Sequence, residues 1–359
     1  MKYILIDGNN LAIRNSFSNK ELHSSDGVSS GVHYGTMQSL IGLKRRFAGA
    51  QFLLVWDGKS KRRLAESEAA FAAGIVSETY KSGRKKTPEE TPQPLKDFYE
   101  QAPFLKRAIE YTGIPQVQLS QFEADDLIAS YAKTLRGENE VVCVTSDGDY
   151  FQLLDKNVKI WDGMKSQMIT KNDWETENGI SNFQWIDIGA MMGDTSDSIC
   201  GVPCWGEKTA LKEIKKYGTW QKLLAAYQEE YKGLRNVYTD LNKRAQLSDA
   251  QEIFKQLQKK KSDPEKETSR LKYPEIYFEM PYTGVLEALD KGLVKMPKTT
   301  LMALLFEARI AVAYSLKKMD DEIPDLPEIV QGKSDREKLI EYFNYYDIET
   351  LMDAIPVFE

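Results

Sequence analysis

The chain has 359 residues, 42% of them hydrophobic and 28% charged, which allows one large or two smaller domains with a sizeable core. A net charge of −6 argues at first against a nucleic-acid partner. No apolar run reaches the length of a membrane helix and the N-terminus is charged too early for a signal peptide, so a cytoplasmic protein with no membrane partner is expected. Three cysteines, Cys143, Cys200 and Cys204, form no disulfide framework, and the two histidines, His23 and His33, lie far from them in sequence, so zinc is not expected.

Lys2–Ile6 is an apolar run that stops at Asp7-Gly8-Asn9-Asn10, the pattern of a buried strand followed by a turn. Gln51–Trp56 before Asp57-Gly58, and Glu140–Val144 before Ser146-Asp147-Gly148-Asp149, repeat it. Helical patterns such as Gly35–Phe47 and Pro103–Tyr111 lie between these runs, which predicts parallel strands joined by helical crossovers. Sites in such sheets lie beyond the carboxyl ends of the strands, so Asp7, Asp57, Asp147 and Asp149 are delivered to one edge. A single strand-end Asp-Gly is ordinary turn chemistry, whereas three on parallel strands are harder to dismiss.

Residues 59–105 interrupt this core with two basic clusters, Lys59, Lys61, Arg62 and Arg63, then Lys81, Arg84, Lys85 and Lys86 beside Tyr80. Pro88, Pro92 and Pro94 break any helix there, and the segment is expected to rise above the sheet edge, as a phosphate-binding insertion or a solvated loop. In Gln121–Leu135 the apolar Leu127, Ile128, Tyr131, Ala132 and Leu135 recur at helical spacing, which puts Glu123, Asp125 and Asp126 in a first turn. The helix dipole favours negative charge there by only fractions of a kcal/mol, less than the repulsion of converging carboxylates, so a cation is expected among them.

Trp161–Trp174 suggests a further strand and turn, and Trp185–Met192 a helix ending at Gly193, after which Asp194 and Asp197 add two carboxylates. The glycine-bounded turn Gly201–Gly206 then leads into a lysine-rich helix, Glu207–Lys216. Outward backbone N–H groups and a helix N-terminus suit a phosphodiester backbone, although a plain helical hairpin with a basic face has the same pattern. Beyond Tyr217, residues 222–258 look helical, 259–267 read as a polar linker, and short helices are expected at 285–289, 300–316 and 336–343. The resulting division is an α/β core at 1–185 with the 59–105 insertion, a hairpin region at 186–290, and a C-terminal helical region at 291–359 with no assigned role.

Collected, the candidate site holds Asp7, Asp57, Glu123, Asp125, Asp126, Asp147, Asp149, Asp194 and Asp197. No serine, cysteine or histidine triad accompanies these motifs, so nucleophilic catalysis has little support. An all-carboxylate donor set points to Mg²⁺ or Mn²⁺, and two such ions about 4 Å apart suit in-line phosphodiester hydrolysis. With these nine carboxylates neutralised by metal, the net charge of −6 becomes +3, and the overall acidity no longer excludes nucleic acid.

In order, Ile6-Asp7-Gly8-Asn9-Asn10 with Arg14, Trp56-Asp57-Gly58, Tyr80-Lys81-Ser82-Gly83-Arg84, Glu123-Ala124-Asp125-Asp126, Ser146-Asp147-Gly148-Asp149 and Gly193-Asp194-Thr195-Ser196-Asp197 resemble the signature of the 5′ nucleases. These are the flap endonucleases and 5′–3′ exonucleases, including phage enzymes and the N-terminal domain of bacterial DNA polymerase I. The resemblance runs from Tyr3 to about Lys216. It implies an α/β, PIN-like, mainly parallel sheet flanked by helices, with a helical arch insertion and a helix-hairpin-helix DNA-binding region. It also implies that Asp7, Asp57, Glu123 and Asp125 serve one metal, directly or through water, and that Asp126, Asp147, Asp149, Asp194 and Asp197 serve the other.

By the same resemblance, Tyr80, Lys81 and Arg84 stand at the arch base and act on the scissile phosphate, and Arg14 contacts phosphate. Gly201, Val202, Gly206, Lys208 and Thr209 would carry the DNA-binding hairpin, which in some relatives also holds K⁺. Cys204-Trp205 stand where the family usually has Gly-Ile, and Ser198 and Cys200 replace the usual Asn and Pro. No polymerase domain follows, which implies a stand-alone, monomeric enzyme of the phage type. The expected function is removal of flaps or RNA primers in DNA replication or repair, on branched, flapped or nicked duplex DNA or RNA–DNA hybrid, with replication proteins as further partners. A DNA-binding protein with weak cleavage and a PIN-type ribonuclease are the alternatives.

Overall fold

The computed structural model describes residues 1–84, 87, 89–203, 205–230 and 298–359. The chain divides into two compact units, one of residues 1–61, 86–183 and 319–359, the other of residues 62–85 and 184–318.

The first unit is built on a six-stranded sheet. Its strands are β1 (Lys2–Asp7), β2 (Gln51–Trp56), β3 (Gln116–Gln118), β4 (Glu140–Val144), β5 (Val158–Asp162) and β6 (Gln167–Ile169), in the order β3-β2-β1-β4-β5-β6. All neighbours are parallel except β5 and β6. The continuous apolar runs of β1, β2 and β4 are buried on both faces, as interior parallel strands require. Sequence order runs from β1 to β2 and β3 on one side and to β4 and β5 on the other, so the chain reverses direction across the sheet at β1. The carboxyl ends of β1, β2 and β4 flank that reversal, where an open α/β sheet forms its crevice.

Helices α1 (Gly8–Ser18), α2 (Gly31–Arg46), α4 (Gln93–Glu110), α5 (Ala124–Leu135) and α6 (Lys171–Asn178) belong to this unit, while α3 (Lys61–Ala72) passes into the other. The 59–105 segment is therefore not one insertion. Pro94 falls at the tolerated start of α4, so this helix begins well before Pro103 and carries that proline inside it. Its buried Phe98, Leu105, Ala108 and Ile109 join the core, which ties α4 to the sheet unit.

Residues 319–359 also differ from the expected separate C-terminal region. They carry α12 (Arg336–Tyr345) and a 3-10 helix, Glu349–Phe358, whose Leu339, Phe343, Ile355 and Phe358 are buried in the same core as α2 and α4. Each such side chain contributes roughly 1.5–3 kcal/mol on burial, so this segment is an integral part of the unit.

The second unit contains most of α3, a 3-10 turn at Ser82–Arg84, α7 (Gln184–Met192), α8 (Glu207–Tyr217), α9 (Trp220–Glu230), α10 (Lys298–Leu305) and α11 (Glu307–Lys317). A short antiparallel pair, β7 (Gly193–Asp194) and β8 (Ile199–Cys200), joins α7 to the turn before α8. The expected 300–316 helix is thus two helices. The expectations for residues 231–297, for Cys204 and for Lys85, Lys86 and Pro88 fall outside the described residues.

Candidate functional site

The first unit brings seven of the nine predicted carboxylates to the strand ends and the first turn of α5. Asp7 ends β1, is 9% exposed, and caps α1 by accepting the Asn10 N–H at 2.9 Å. Its other oxygen accepts the Tyr150 hydroxyl at 3.1 Å. Asp57 follows β2 and accepts the Ala124 N–H at 2.9 Å, which ties the end of β2 to the start of α5. Asp147 follows β4 and accepts the Asp149 N–H at 2.9 Å, capping a short 3-10 helix.

The two asparagines after Asp7 pin these ends together. Asn9 accepts the Asp57 N–H at 3.1 Å, and Asn10 accepts the Ser146 N–H at 3.3 Å and its hydroxyl at 3.1 Å. The first turn of α1 therefore sets the spacing of three strand ends.

On α5, Glu123 is the buried cap residue and Asp125 lies half-buried in the first turn, where it accepts the Asp126 N–H. Asp126 is 1% exposed and accepts the Asp320 N–H at 2.8 Å, so it also anchors the segment that returns to this unit.

Electrostatics mark Asp7 as the focus of the cluster. Burial, repulsion from Asp57 and repulsion from Asp147 together push its carboxyl well above the usual carboxylate range, against the Asn10 and Tyr150 hydrogen bonds. The Tyr150 phenol is pushed far up by burial and by Asp7, Asp125, Asp147 and Asp57, and so remains a proton donor. Tyr150 escaped the sequence reading although it directly follows Asp149. An aromatic beside an acidic motif reads as core, and only the fold reveals its hydroxyl on Asp7.

In the second unit, Asp194 and Asp197 sit on the tight β7–β8 hairpin. Asp194 accepts the Ser196 N–H and hydroxyl on one oxygen, at 2.9 and 2.6 Å, and the Lys317 ammonium on the other at 2.7 Å. Burial would raise its pKa, but the Lys317 and Ser196 hydrogen bonds and the Lys317 charge prevail and hold it at about 2. Lys317, itself only 8% exposed, is the second residue that sequence reading missed, since 123 positions separate it from Asp194.

Lys81, Arg84 and Tyr80 all converge on Asp197. The Lys81 N–H donates to the Asp197 carbonyl at 2.8 Å and holds Lys81 in a left-handed conformation (φ 57°). Its ammonium lies 4.9 Å from the Tyr80 ring centre. Arg84 pairs with the Asp197 carboxylate and donates to the Ser196 carbonyl. Tyr80 is buried and places its hydroxyl 3.4 Å from the Asp197 carboxylate, so it supports Asp197. Of the first basic cluster, Arg62 donates to the Ser315 and Lys318 carbonyls at the end of α11, and Arg63 is 1% exposed. Arg63 is thus withheld from solvent, and the Arg62 guanidinium is engaged with α11.

The hairpin residues divide in the same way. A Cβ on Gly201 would stand 2.2 Å from the Met192 carbonyl carbon, so chain packing alone demands glycine there. Val202 is buried and donates its N–H to Met191. Gly206 caps α8 with open space around it, Lys208 is exposed, and the Thr209 N–H returns to Gly206. Trp205 is buried and donates its indole N–H to Thr299, the anchoring that an aliphatic residue would provide by packing alone. Arg14, on α1 in the first unit, is half-buried; burial lowers its pKa and nearby Asp162 opposes the shift.

Among the described residues, no three His, Cys, Asp or Glu side chains are posed to hold an ion jointly. The donor chemistry is nonetheless that of a hard cation, and a cation at the Asp7 cluster would relieve the repulsion that raises its pKa. Mg²⁺ ordinarily takes one or two carboxylates and keeps several waters, which does not require a closed protein cage. No helix among the described residues is long and apolar enough to cross a membrane.

Comparison with known proteins now adds to this geometry. Residues 2–179 match the family described as 5′-3′ exonuclease, N-terminal resolvase-like domain, and residues 180–274 match 5′-3′ exonuclease, C-terminal SAM fold. Similar curated proteins include DNA polymerase I of Deinococcus radiodurans, 35% identical over 62% of this chain and 22% of that protein. The thermostable DNA polymerase I of Thermus thermophilus is 33% identical over 62% of this chain and 25% of that protein. The chain thus spans about a quarter of the length of these relatives.

Among solved structures, phage T5 5′-exonuclease with bound divalent metal ions (zinc) aligns at a TM-score of 0.51 and 24% identity, over 63% of this chain and 79% of that one. The catalytic core of Rad2 in complex with a DNA substrate aligns at 0.53 and 14% identity, over 99% and 92%. These two likenesses establish the fold, a PIN-like, mainly parallel sheet flanked by helices, as the motif resemblance implied. The two matched profiles cover residues 2–274 between them, and the chain belongs to the 5′-3′ exonuclease family.

Proposed function

We propose that this chain is a metal-dependent, structure-specific 5′ nuclease that hydrolyses phosphodiester bonds in flapped, nicked or RNA-primed duplex DNA during replication or repair. The observation that carries the reading is the pinning of the β1, β2 and β4 ends by Asn9 and Asn10, which gathers Asp7, Asp57 and Asp147 at one edge beside Glu123 and Asp125. Two Mg²⁺ or Mn²⁺ ions, when bound, would generate a nucleophilic hydroxide and stabilise the leaving oxygen. In this reading Asp7, Asp57, Glu123 and Asp125 of the first unit hold one ion, and Asp126, Asp147 and Asp149 of the same unit hold or support the other.

The protein's own cations do the remaining work. Lys81 and Arg84 supply positive charge where negative charge grows on the phosphate, and Asp197 and Tyr80 set their position. Arg14, Gly206, Lys208 and Thr209 contact phosphates that fix the duplex, and K⁺ binding at the Gly201–Thr209 hairpin belongs to the same reading. A monomer working in the cytoplasm with replication proteins completes it.

The test is product length from 5′-labelled and 3′-labelled flap, nicked and RNA-primed duplexes with Mg²⁺. Asp147→Ala should lose cleavage while flap binding in Ca²⁺ survives. Unchanged cleavage by that variant would overturn the assignment, and loss of flap binding in Ca²⁺ along with cleavage would remove Asp147 from the metal site.

A further inference from the structure

In the first unit, α1, the C-terminal half of α2 and the ends of β4 and β5 enclose a cavity of about 280 Å³ that none of the predicted site residues other than Arg14 enters. Its lining includes Arg14, Ser39, Gly42, Arg46, Trp161 and Gly163. The Arg46 guanidinium lies 4.1 Å from the Trp161 ring centre, which makes a flat cationic plate backed by an indole. The Arg14 guanidinium reaches over Gly163, where an added Cβ would meet it at 3.4 Å. One wall thus offers charge for a phosphate and another offers a stacking surface for a planar ring.

Gly42 gives a separate indication. It lies inside α2, where glycine is about 1 kcal/mol worse than alanine, yet its φ is ordinary and an added Cβ would meet nothing within 4 Å. Nothing in the packing of the chain demands glycine there, and Gly42 stands on the lining of the cavity. Its size is at the small end of ligand sites, roughly 300–1,000 Å³, and suits one nucleotide unit. The cavity borders the edge that carries Asp7, and Arg14 lies seven residues along α1 from Asp7, or about 10 Å.

We propose that this cavity takes one unstacked nucleotide of the strand adjoining the cleaved bond, with its phosphate on Arg14 and its base against the Arg46–Trp161 plate. Single-stranded bases commonly stack on aromatic rings and guanidinium planes, and this slot would hold the strand in register before cleavage. The proposal rests on the nuclease reading and goes beyond it, since it assigns base recognition to residues outside the carboxylate cluster.

The experiment measures flap binding in Ca²⁺ with abasic residues placed singly at successive positions on either side of the cleavage point. For the wild-type protein, one position should weaken binding roughly 10-fold and its neighbours much less. Gly42→Leu should fill the cavity without loss of thermal stability, weaken binding of the intact flap by a similar factor, and abolish the positional effect. Trp161→Leu should likewise weaken binding and abolish the positional effect, at a cost in stability because its ring is buried in the core. Uniform abasic effects in the wild type, or a positional effect that survives in Gly42→Leu, overturn the proposal.

If the protein binds no flap at all, the nuclease reading fails, and deoxyadenosine monophosphate titrated into the protein decides the cavity by itself. A shift of the Trp161 indole resonance that is absent in Gly42→Leu supports it, and no shift overturns it.

Discussion

At the scale of single residues, the site is held in tension. Asp7 is buried among like charges and its pKa is raised above the unfolded value, so ionising it opposes folding. Without metal, its contribution to stability is fully present below the unfolded pKa and is lost as pH rises through the folded one. Asp7→Asn should therefore raise the melting temperature in EDTA at neutral pH, by roughly 1 kcal/mol of stability, while abolishing cleavage. A variant that melts lower in EDTA would show that Asp7 is not strained. Asp194 behaves in the opposite sense. Its pKa is depressed to about 2, so the stability it contributes is present above pH 4 and disappears as pH falls toward 2. Lys317→Met should destabilise the protein by about 1–3 kcal/mol in urea at pH 7 and reduce divalent-ion affinity measured by calorimetry. Unchanged values for both would show that the buried Lys317–Asp194 pair neither stabilises the fold nor sets how Asp194 is presented.

At the scale of elements, the β7–β8 hairpin sets how Asp194 and Asp197 are presented. Gly193 has φ +73°, and a Cβ there would stand 2.3 Å from the Gly201 nitrogen and 2.5 Å from the Ile199 carbonyl oxygen. Backbone cannot move aside as a flexible side chain can. Gly193→Ala should lower unfolding free energy by several kcal/mol or eliminate cleavage through a displaced hairpin, as checked by urea titration alongside the flap assay. Full stability with full activity would show that the hairpin is free to rebuild.

The same scale explains what the sequence made legible. β1, β2 and β4 announce themselves because apolar runs end abruptly at Asp-Gly, and α5, α7 and α8 because their apolar residues recur at helical spacing. The start of α4 is hidden because Pro92 and Pro94 look like breakers, whereas Pro94 at the first turn is compatible with a helix. The Tyr150–Asp7, Asn10–Ser146 and Lys317–Asp194 contacts are hidden for another reason. Each joins residues more than 100 positions apart, and no local pattern encodes such a meeting.

For the molecule as a whole, the decisive feature is the return of the chain to the first unit after residue 318. His33 in α2 is buried between Tyr342, whose hydroxyl contacts Nδ1, and Gln101 at 3.0 Å from Nε2, with the Tyr346 ring stacked at 3.7 Å. Burial pulls its pKa down to about 4, although the Gln101 contact opposes this. Protonation therefore favours the unfolded chain between pH 6.5 and 4, so stability is intact above pH 6.5 and falls by up to about 3 kcal/mol toward pH 4. Urea titrations over this range should show the decline in wild-type protein and a shallower one in His33→Gln. Equal slopes would place the acid sensitivity elsewhere.

That return has a consequence for how the fold is made. A ribosome delivers β1, β2 and β4 early, but the side chains of 339–358 that complete their core emerge only after the second unit has been synthesised. The core beneath β1, β2 and β4 is therefore closed only when residues 339–358 are present, and a fragment ending before residue 319 should leave apolar side chains of α2 and α4 uncovered.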